Sequence, residues 1–387
     1  MNDQNNPETI KLPTGKDLVL SSSPHLSTGA NLCKIMGGVL LALTPAIFAS
    51  VYFFGWRALL VIIYTVVCCV AAEAVWCAMA GKPVLRTIGD LSAALTGTLL
   101  ALCLPVSVPL YVPPIGAVLA IWLGKQVYGG LGNNPFNPAL VARVGLLIAL
   151  PAAMTLWTPS RGMVEKSYPS GGTFYGEADA VTSATAKNKK DKTESADALT
   201  CATPLGVAGL TPKITGQGKD AQHNFDKLNG KELMRKYFLG DRAGCLGETS
   251  VLALLFGYIV LVALNLINWR VPVFFIGTVA LLSGVIHFCL PGVTPGALFH
   301  VLNGGLFLGA VFMATDMVTS PITGTGCVFF AIGCGVLTTV IRIFGNYPEG
   351  VSFAILFMNA LVPLIDRFCG YRPFGYVSRR QKAEESK

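Results

Sequence analysis

Apolar residues run through this chain in blocks close to the ~20 residues that a helix needs to cross a bilayer. One long polar stretch interrupts them near the middle. By length, membrane helices are expected at roughly 35–54, 58–80, 111–128, 138–157, 250–268, 271–290, 325–343 and 351–369. Two further segments are irregular. Residues 91–104 form a short apolar run stopped at Pro105, and 296–314 are interrupted by Asn303-Gly304-Gly305. Counting both gives about ten spans, five on each side of the polar stretch 158–247. The predicted fold class is an all-α polytopic membrane protein. Its expected divisions are a tail 1–31, a first five-helix repeat 32–157, a loop 158–247, a second repeat 248–370 and a basic tail 371–387.

The two halves read as weak copies. Leu95-Thr96-Gly97-Thr98-Leu99-Leu100 is matched with Asn303-Gly304-Gly305-Leu306-Phe307-Leu308. Gly132-Asn133-Asn134-Pro135 and Gly345-Asn346-Tyr347-Pro348 then follow in the same order. An odd number of spans per copy turns the second upside down, giving an inverted repeat. Segments broken by Gly and Pro are where non-helical backbone lines an interior site, or simple helix punctuation.

Composition agrees with a membrane setting. Hydrophobic residues make up 52% and charged residues 13%, against about 25% charged in a soluble domain; the mean hydropathy is +0.58. The net charge of +8 comes largely from the stretch Arg161–Arg242 and from the C-terminal tail. Aromatic-interleaved basic stripes are absent, so nucleic acid is not an expected partner. The basic tail with Lys34, Lys82 and Arg86 marks the cytoplasmic side, which places both termini there and the 158–247 loop outside the cytoplasm. No cleavable signal segment is expected in residues 1–30. The eleven cysteines form no C-x-x-C pair and lie mostly in apolar runs, where they act as small hydrophobes. The four histidines are dispersed and point to no shared metal.

The polar loop carries the most specific chemistry. Asp179-Ala180-Val181-Thr182-Ser183-Ala184-Thr185 and Asp197-Ala198-Leu199-Thr200-Cys201-Ala202-Thr203 share Asp-x-x-Thr-x-Ala-Thr. That pattern resembles the site at which flavin transferases join the phosphate of FMN to the last Thr hydroxyl. The small Ala202 would leave the Thr203 hydroxyl accessible, and Asp197 would bind the metal or the transferase during attachment; Thr200 completes the motif. A generic Ser/Thr/Ala-rich loop is the plainer alternative.

Charges inside apolar segments are the other candidates, since each costs roughly 2.5–3.5 kcal/mol at a bilayer centre on insertion scales. They are Glu73, Lys125, Arg143, Asp316 and Arg342. Arg143 and Arg342 suit snorkelling from helix ends. Lys125 and Asp316, beside the broken segments, are the candidates for an ion pathway. Glu248 opens a helix with Thr249-Ser250 and reads equally as a capping residue.

Several blocks taken together resemble the D subunits of the Rnf complex, a membrane-bound ferredoxin:NAD oxidoreductase coupled to ion transport. They are Ser23-Pro24-His25, Gly89-Asp90, Leu95-Thr96-Gly97, Gly124-Lys125-Gln126 and Gly129 through Ala139. The second half adds Gly247-Glu248-Thr249-Ser250, Trp269-Arg270-Val271-Pro272, Met313-Ala314-Thr315-Asp316, Tyr347-Pro348-Glu349-Gly350 and Asn359-Ala360-Leu361. The resemblance covers residues 20–372. It implies a fold like the urea and ammonium channels, covalent FMN on the last Thr of the loop motif, and a non-covalent riboflavin in the membrane part. It also implies a place among the other Rnf subunits (A, B, C, E and G), maturation by a flavin transferase, and transport of Na⁺ or H⁺. Thr203 has the Pro204-Leu205 continuation typical of the family, whereas Thr185 runs into Ala186-Lys187; Thr203 is the expected acceptor and Thr185 the alternative. Cys201 stands where the family usually has Gly, and the Lys-rich segment 187–192 looks inserted. The B subunit of the sodium-translocating NADH:quinone oxidoreductase is the nearest alternative within the resemblance. A channel or transporter with no redox role is the alternative from another class.

Overall fold

The computed structural model describes residues 31–161, 203–206, 208, 225, 228–345 and 349–370. Among these residues the chain is helical, with no strand. The first half contains α1 (Leu32–Phe54), α2 (Trp56–Met79), α3 (Val84–Ile88) and α4 (Ser92–Leu102). It continues with α5 (Val112–Val118), which runs on as a π-helical stretch Leu119–Gln126, then α6 (Pro138–Ala149) and α7 (Pro151–Met154). After the loop come α8 (Lys231–Leu239), a 3₁₀ turn Leu246–Glu248, α9 (Val251–Ala263) and α10 (Arg270–Cys289). The second half ends with α11 (Ala297–Leu302), α12 (Leu306–Leu308) leading into a π stretch Gly309–Met313, α13 (Gly324–Phe344) and α14 (Val351–Phe368).

Among the described residues, five helices are long and apolar enough to cross a membrane: α1, α2, α10, α13 and α14. The shorter apolar helices α4, α6 and α9 have 10–17 residues. Every apolar block read from the sequence is therefore helical, but the helices of 91–104, 111–128, 138–157 and 250–268 are shorter than their blocks. Their outer faces keep large apolar side chains exposed, among them Phe48, Tyr52, Phe256, Phe288 and Phe357, as expected where lipid is the solvent. The inner faces are small and tightly fitted. A Cβ on Gly97 of α4 would come within 2.8 Å of Val66 Cα in α2, so only glycine permits that approach.

Two features position the site. The first is the pair of broken helices. α4 stops at Leu102, and the chain turns through Cys103–Tyr111 before α5. α11 stops at Leu302, and Asn303-Gly304-Gly305 reverses into α12 with φ of 77° at Gly304 and 65° at Gly305. The second is the end of the loop. Residues Arg242–Ser250 are all buried, so this part of the predicted extracytoplasmic loop inserts between the helices. Leu246 N–H donates to the Leu104 carbonyl at 3.1 Å, and Ser50 Oγ of α1 donates to the Leu246 carbonyl at 2.6 Å. Asn137 caps α6 through Ala139 N–H at 3.1 Å and also donates to the Met313 carbonyl at 3.2 Å, tying the first half to the end of the second π stretch.

Gly304 tests this geometry. Its positive φ disfavours any L side chain, and a Cβ there would lie 2.5 Å from Leu205 Cδ1 and 2.7 Å from an Arg342 guanidinium nitrogen. Gly304→Ala is expected to destabilise by more than about 1 kcal/mol. Thermal unfolding of the detergent-solubilised protein, followed by size-exclusion chromatography, should show a lower midpoint than wild type.

Candidate functional site: a buried arginine–glutamate cluster beside Thr203

The last carbonyls of a helix have no intrahelical partner, and a helix that ends inside a membrane cannot turn them to water. Here arginines meet them. Arg143, from the middle of α6, donates to the Cys103 carbonyl at 3.1 Å, just beyond the end of α4, and Cys245 Sγ donates to the same oxygen at 3.0 Å. At the end of α11, Arg242 donates to the Leu302 carbonyl and, at 2.6 Å, to Asn303 Oδ1. Arg342 of α13 donates to the carbonyls of His300 at 2.7 Å, Asn303 at 3.0 Å and Gly304 at 2.7 Å. The partial negative charge of a helix C-terminus favours a cation, and the guanidinium adds a fork of donors.

Two carboxylates complete the cluster. Glu248 pairs with Arg143 at 3.3 Å, and Glu349 pairs with the same guanidinium. The Glu248 carbonyl accepts from Arg242. The three arginines and Glu248 are each at most 5% exposed, so these pairs form away from water. Desolvation, and then the neighbouring Glu248 carboxylate, push the Glu349 carboxyl up to about 7, against the pull of Arg143 and Arg342. Burial draws the Arg242 guanidinium down to about 10, with Glu248 pulling the other way. Cys245, Glu248 and Glu349 offer ligand atoms within 4.8 Å of one another. Arg143 contacts all three, however, so the positive charge between them is already the guanidinium.

Thr203 stands against this cluster. Its hydroxyl oxygen accepts from Gly206 N–H at 3.1 Å, and it lines a small pocket with Leu205, Arg242, Glu248, Asn303, Gly304 and Glu349. Thr185, Asp197, Thr200 and Ala202 lie outside the described residues. Lys125 is elsewhere, 1% exposed and bonded to Glu73 of α2 at 2.5 Å and to Ser92 Oγ at 2.6 Å. Asp316 is half-buried after the second π stretch and accepts from Thr319 Oγ1 at 3.3 Å. It is not brought to Lys125 by any hydrogen bond or ion pair among the described residues.

Two expectations are corrected. Arg143 and Arg342 do not snorkel; they are buried and bound to backbone carbonyls of other elements. Glu248 is not the cap of α9, because Ser250 fills that role through Ala253 N–H at 3.3 Å while Glu248 pairs with Arg143. Sequence reasoning missed Arg242, Glu349 and the meeting of Cys103 with Cys245. Arg242 and Glu349 read as loop charges, and only the two helix breaks, whose carbonyls need donors, could have drawn attention to them. His287 and His300 also converge, both bonded to Thr294, at 2.8 Å and 2.6 Å.

A multi-span membrane protein with broken helices and a buried charged cluster at its loop-facing pocket is the class that these features define. The sequence model of the NQR2, RnfD, RnfE family matches residues 19–375, and the chain belongs to that family. It is 44% identical to the D subunit of an ion-translocating oxidoreductase complex from Stutzerimonas stutzeri, over 89% of this chain and 93% of the relative. It is 40% identical to the D subunit of a proton-translocating ferredoxin:NAD(+) oxidoreductase complex from Clostridium ljungdahlii, over 93% and 96%. A Na(+)-translocating counterpart from Acetobacterium woodii is 37% identical over 95% and 98%.

Arg143→Met removes the shared partner of two buried carboxylates and is expected to cost about 3–5 kcal/mol. Glu349 takes up a proton near pH 7 in the folded protein, above the ~4.3 of a free Glu side chain. Folding therefore binds a proton between those values, and stability falls as pH rises through them. The variant should accordingly unfold at a lower temperature at about pH 8 than at about pH 6, with a larger difference than wild type shows. Equal pH dependence in the two proteins would contradict this account.

Proposed function

We propose that this chain is the D subunit of an ion-translocating ferredoxin:NAD oxidoreductase complex of the Rnf type, with FMN joined to Thr203 through a phosphodiester. The observation that carries the reading is the position of Thr203 in the same pocket as Arg242, Glu248 and Glu349. With both carboxylates ionised, the three buried arginines leave one positive charge unmatched among the described residues. A phosphodiester brings one negative charge to that place, and burying a charge is tolerated when it is paired. The Thr203 oxygen would keep a lone pair for Gly206 N–H after esterification, so the local turn survives attachment.

FMN supplies one- and two-electron chemistry. The chain's own part is to fix the carrier at the outer face of the membrane, where a covalent bond prevents its loss. Arg242 and Arg342 hold the broken α11 open beside it. Glu349, which titrates near neutral pH, can bind or release a proton as the charge in the pocket changes. The other Rnf subunits (A, B, C, E and G), and a transferase acting before the pocket closes over Thr203, complete this reading. The relatives named as D subunits favour it over the B subunit of the NADH:quinone enzyme.

An inverted-repeat scaffold of about ten spans belongs to the same proposal. Trp56-Arg57 and Trp269-Arg270 stand at the starts of α2 and α10, Leu91 and Gly304 hold positive φ just before α4 and α12, and Gly132-Asn133 and Gly345-Asn346 precede α6 and α14. The two members of each pair are separated by the same number of residues, which supports a duplication. This register is displaced from the match of Leu95–Leu100 with Asn303–Leu308.

Thr203→Val, co-expressed with a flavin transferase, should lose the fluorescent band of the denatured subunit under ultraviolet light. Fluorescence that persists in Thr203→Val and disappears in Thr185→Val would move the attachment site. No fluorescence in the wild type would return a transporter without redox role to the lead.

A further inference from the structure

A second buried polar ladder lies at the opposite end of α4. Asp90, half-buried, accepts from Ser92 N–H at 2.8 Å and from Ser92 Oγ at 2.5 Å. Ser92 Oγ accepts in turn from Lys125 Nζ at 2.6 Å, and Lys125 Nζ donates to Glu73 Oε1 at 2.5 Å. Gln126 Nε2 donates to the same Glu73 oxygen at 2.9 Å. Glu73 is 0% exposed, and its other oxygen, Oε2, has no partner among the described residues. A buried carboxylate normally satisfies both oxygens, and each unsatisfied one is costly.

Packing does not require these charges. In the register that relates the two halves, the second half places Ile286 where Glu73 stands, Thr338 where Lys125 stands and Gly305 where Ser92 stands. That half packs α10 against α13 without an ion pair at those positions. A buried ion pair adds little net stability over apolar side chains of similar size. Lys125 also sits in the π-helical stretch, and π insertions inside helices concentrate at functional sites. Leu91, between Asp90 and Ser92, holds φ of 63°, a strained conformation for a branched residue.

We propose that Glu73 is a binding site for a translocated monovalent cation, Na⁺ or H⁺, and that Lys125 is its built-in counter-cation. This rests on the proposed function and names the ion site within it. In the resting form Lys125 Nζ neutralises Glu73. An arriving cation binds the Glu73 carboxylate, at Oε2 first. Lys125 then shifts along Ser92 Oγ toward Asp90, so that Glu73 is neutralised before and after the exchange and Asp90 gains the ammonium. No bond is made or broken if the ion is Na⁺. If it is H⁺, the proton ends on Glu73 as the carboxylic acid and the ammonium pairs with Asp90. The ladder runs from the half-exposed Asp90 to the fully buried Glu73, which gives the ion a side of entry. Relatives of similar identity are named for protons in one case and sodium in the other, so the shared chemistry of a small cation on a carboxylate is the appropriate statement.

The test uses the whole complex in proteoliposomes. The paired variant Glu73→Gln/Lys125→Met removes both charges at similar volume and leaves neither buried alone. Cation uptake driven by ferredoxin and NAD⁺ should fall by about tenfold or more, while the flavin band, which reports folding and maturation, is retained. Uptake within about twofold of wild type overturns the proposal. A carbodiimide that labels buried carboxyl groups gives a readout independent of redox activity and of the variant's folding. In the wild-type complex, labelling of Glu73, read by peptide mass spectrometry, should respond to the ion: Na⁺ on the carboxylate protects it, whereas a bound proton makes it reactive. Suppression by Na⁺ at fixed pH identifies sodium, and suppression by raised pH alone identifies the proton. Labelling that is absent, or unchanged by either, removes the site. Loss of the flavin band or of ferredoxin:NAD activity in the wild type would count against the proposed function instead.

Discussion

The structure depends on how it satisfies the carbonyl groups of helices that end inside the membrane. α4 and α11 both stop short, at Leu102 and Leu302, and the residues that follow, Cys103 and Asn303, are buried. Arg143 meets the first break, and Arg242 with Arg342 meets the second. Each guanidinium brings a charge that must itself be balanced, which explains why Glu248 and Glu349 are drawn into the same place. The loop segment Arg242–Ser250 is buried for the same reason: it delivers Arg242 and Glu248 to the ends that need them. Once those groups are in place, the loop that carries Thr203 has a fixed base.

The helical, membrane-type character was legible in the sequence because a bilayer imposes a length on every apolar block. The apolar blocks read as spans are helical; of the two irregular segments, 91–104 forms one short helix and 296–314 is interrupted at Asn303–Gly305. The site was legible only in part. Thr203 stood out through the Asp-x-x-Thr-x-Ala-Thr pattern, and Lys125 through its charge in an apolar run. Arg143 and Arg342 were noticed for the same reason, but their role was not, since sequence does not reveal which carbonyls lie across from a side chain. Glu349 and Arg242 sit in connecting segments, where charges are ordinary. Only the folded chain brings them beneath Thr203.

α4 connects the two polar regions. Its N-terminal residue Ser92 belongs to the Glu73–Lys125 ladder, and Cys103, just past its C-terminus, is held by Arg143. Eleven residues of helix span about 16 Å at 1.5 Å each. Arg143, which pairs with the pocket carboxylates Glu248 and Glu349, holds one end of this element, while its other end positions the carboxylate ladder. In the proposed function this helix is a rigid part shared by the flavin pocket and the cation site, with its N-terminus facing Asp90 and its C-terminus facing a cation, as the dipole prefers. Conformational coupling of this kind needs no long chain of contacts.

The central claim is that the unmatched positive charge beneath Thr203 is the seat of a flavin phosphate. The most direct measurement is an experimental density map of the mature complex. The account predicts continuous density from Thr203 Oγ1 into a phosphate that lies within hydrogen-bonding distance of the Arg242 or Arg342 guanidinium. Density for the flavin on Thr185, or a Thr203 phosphate turned away from both arginines, would contradict it.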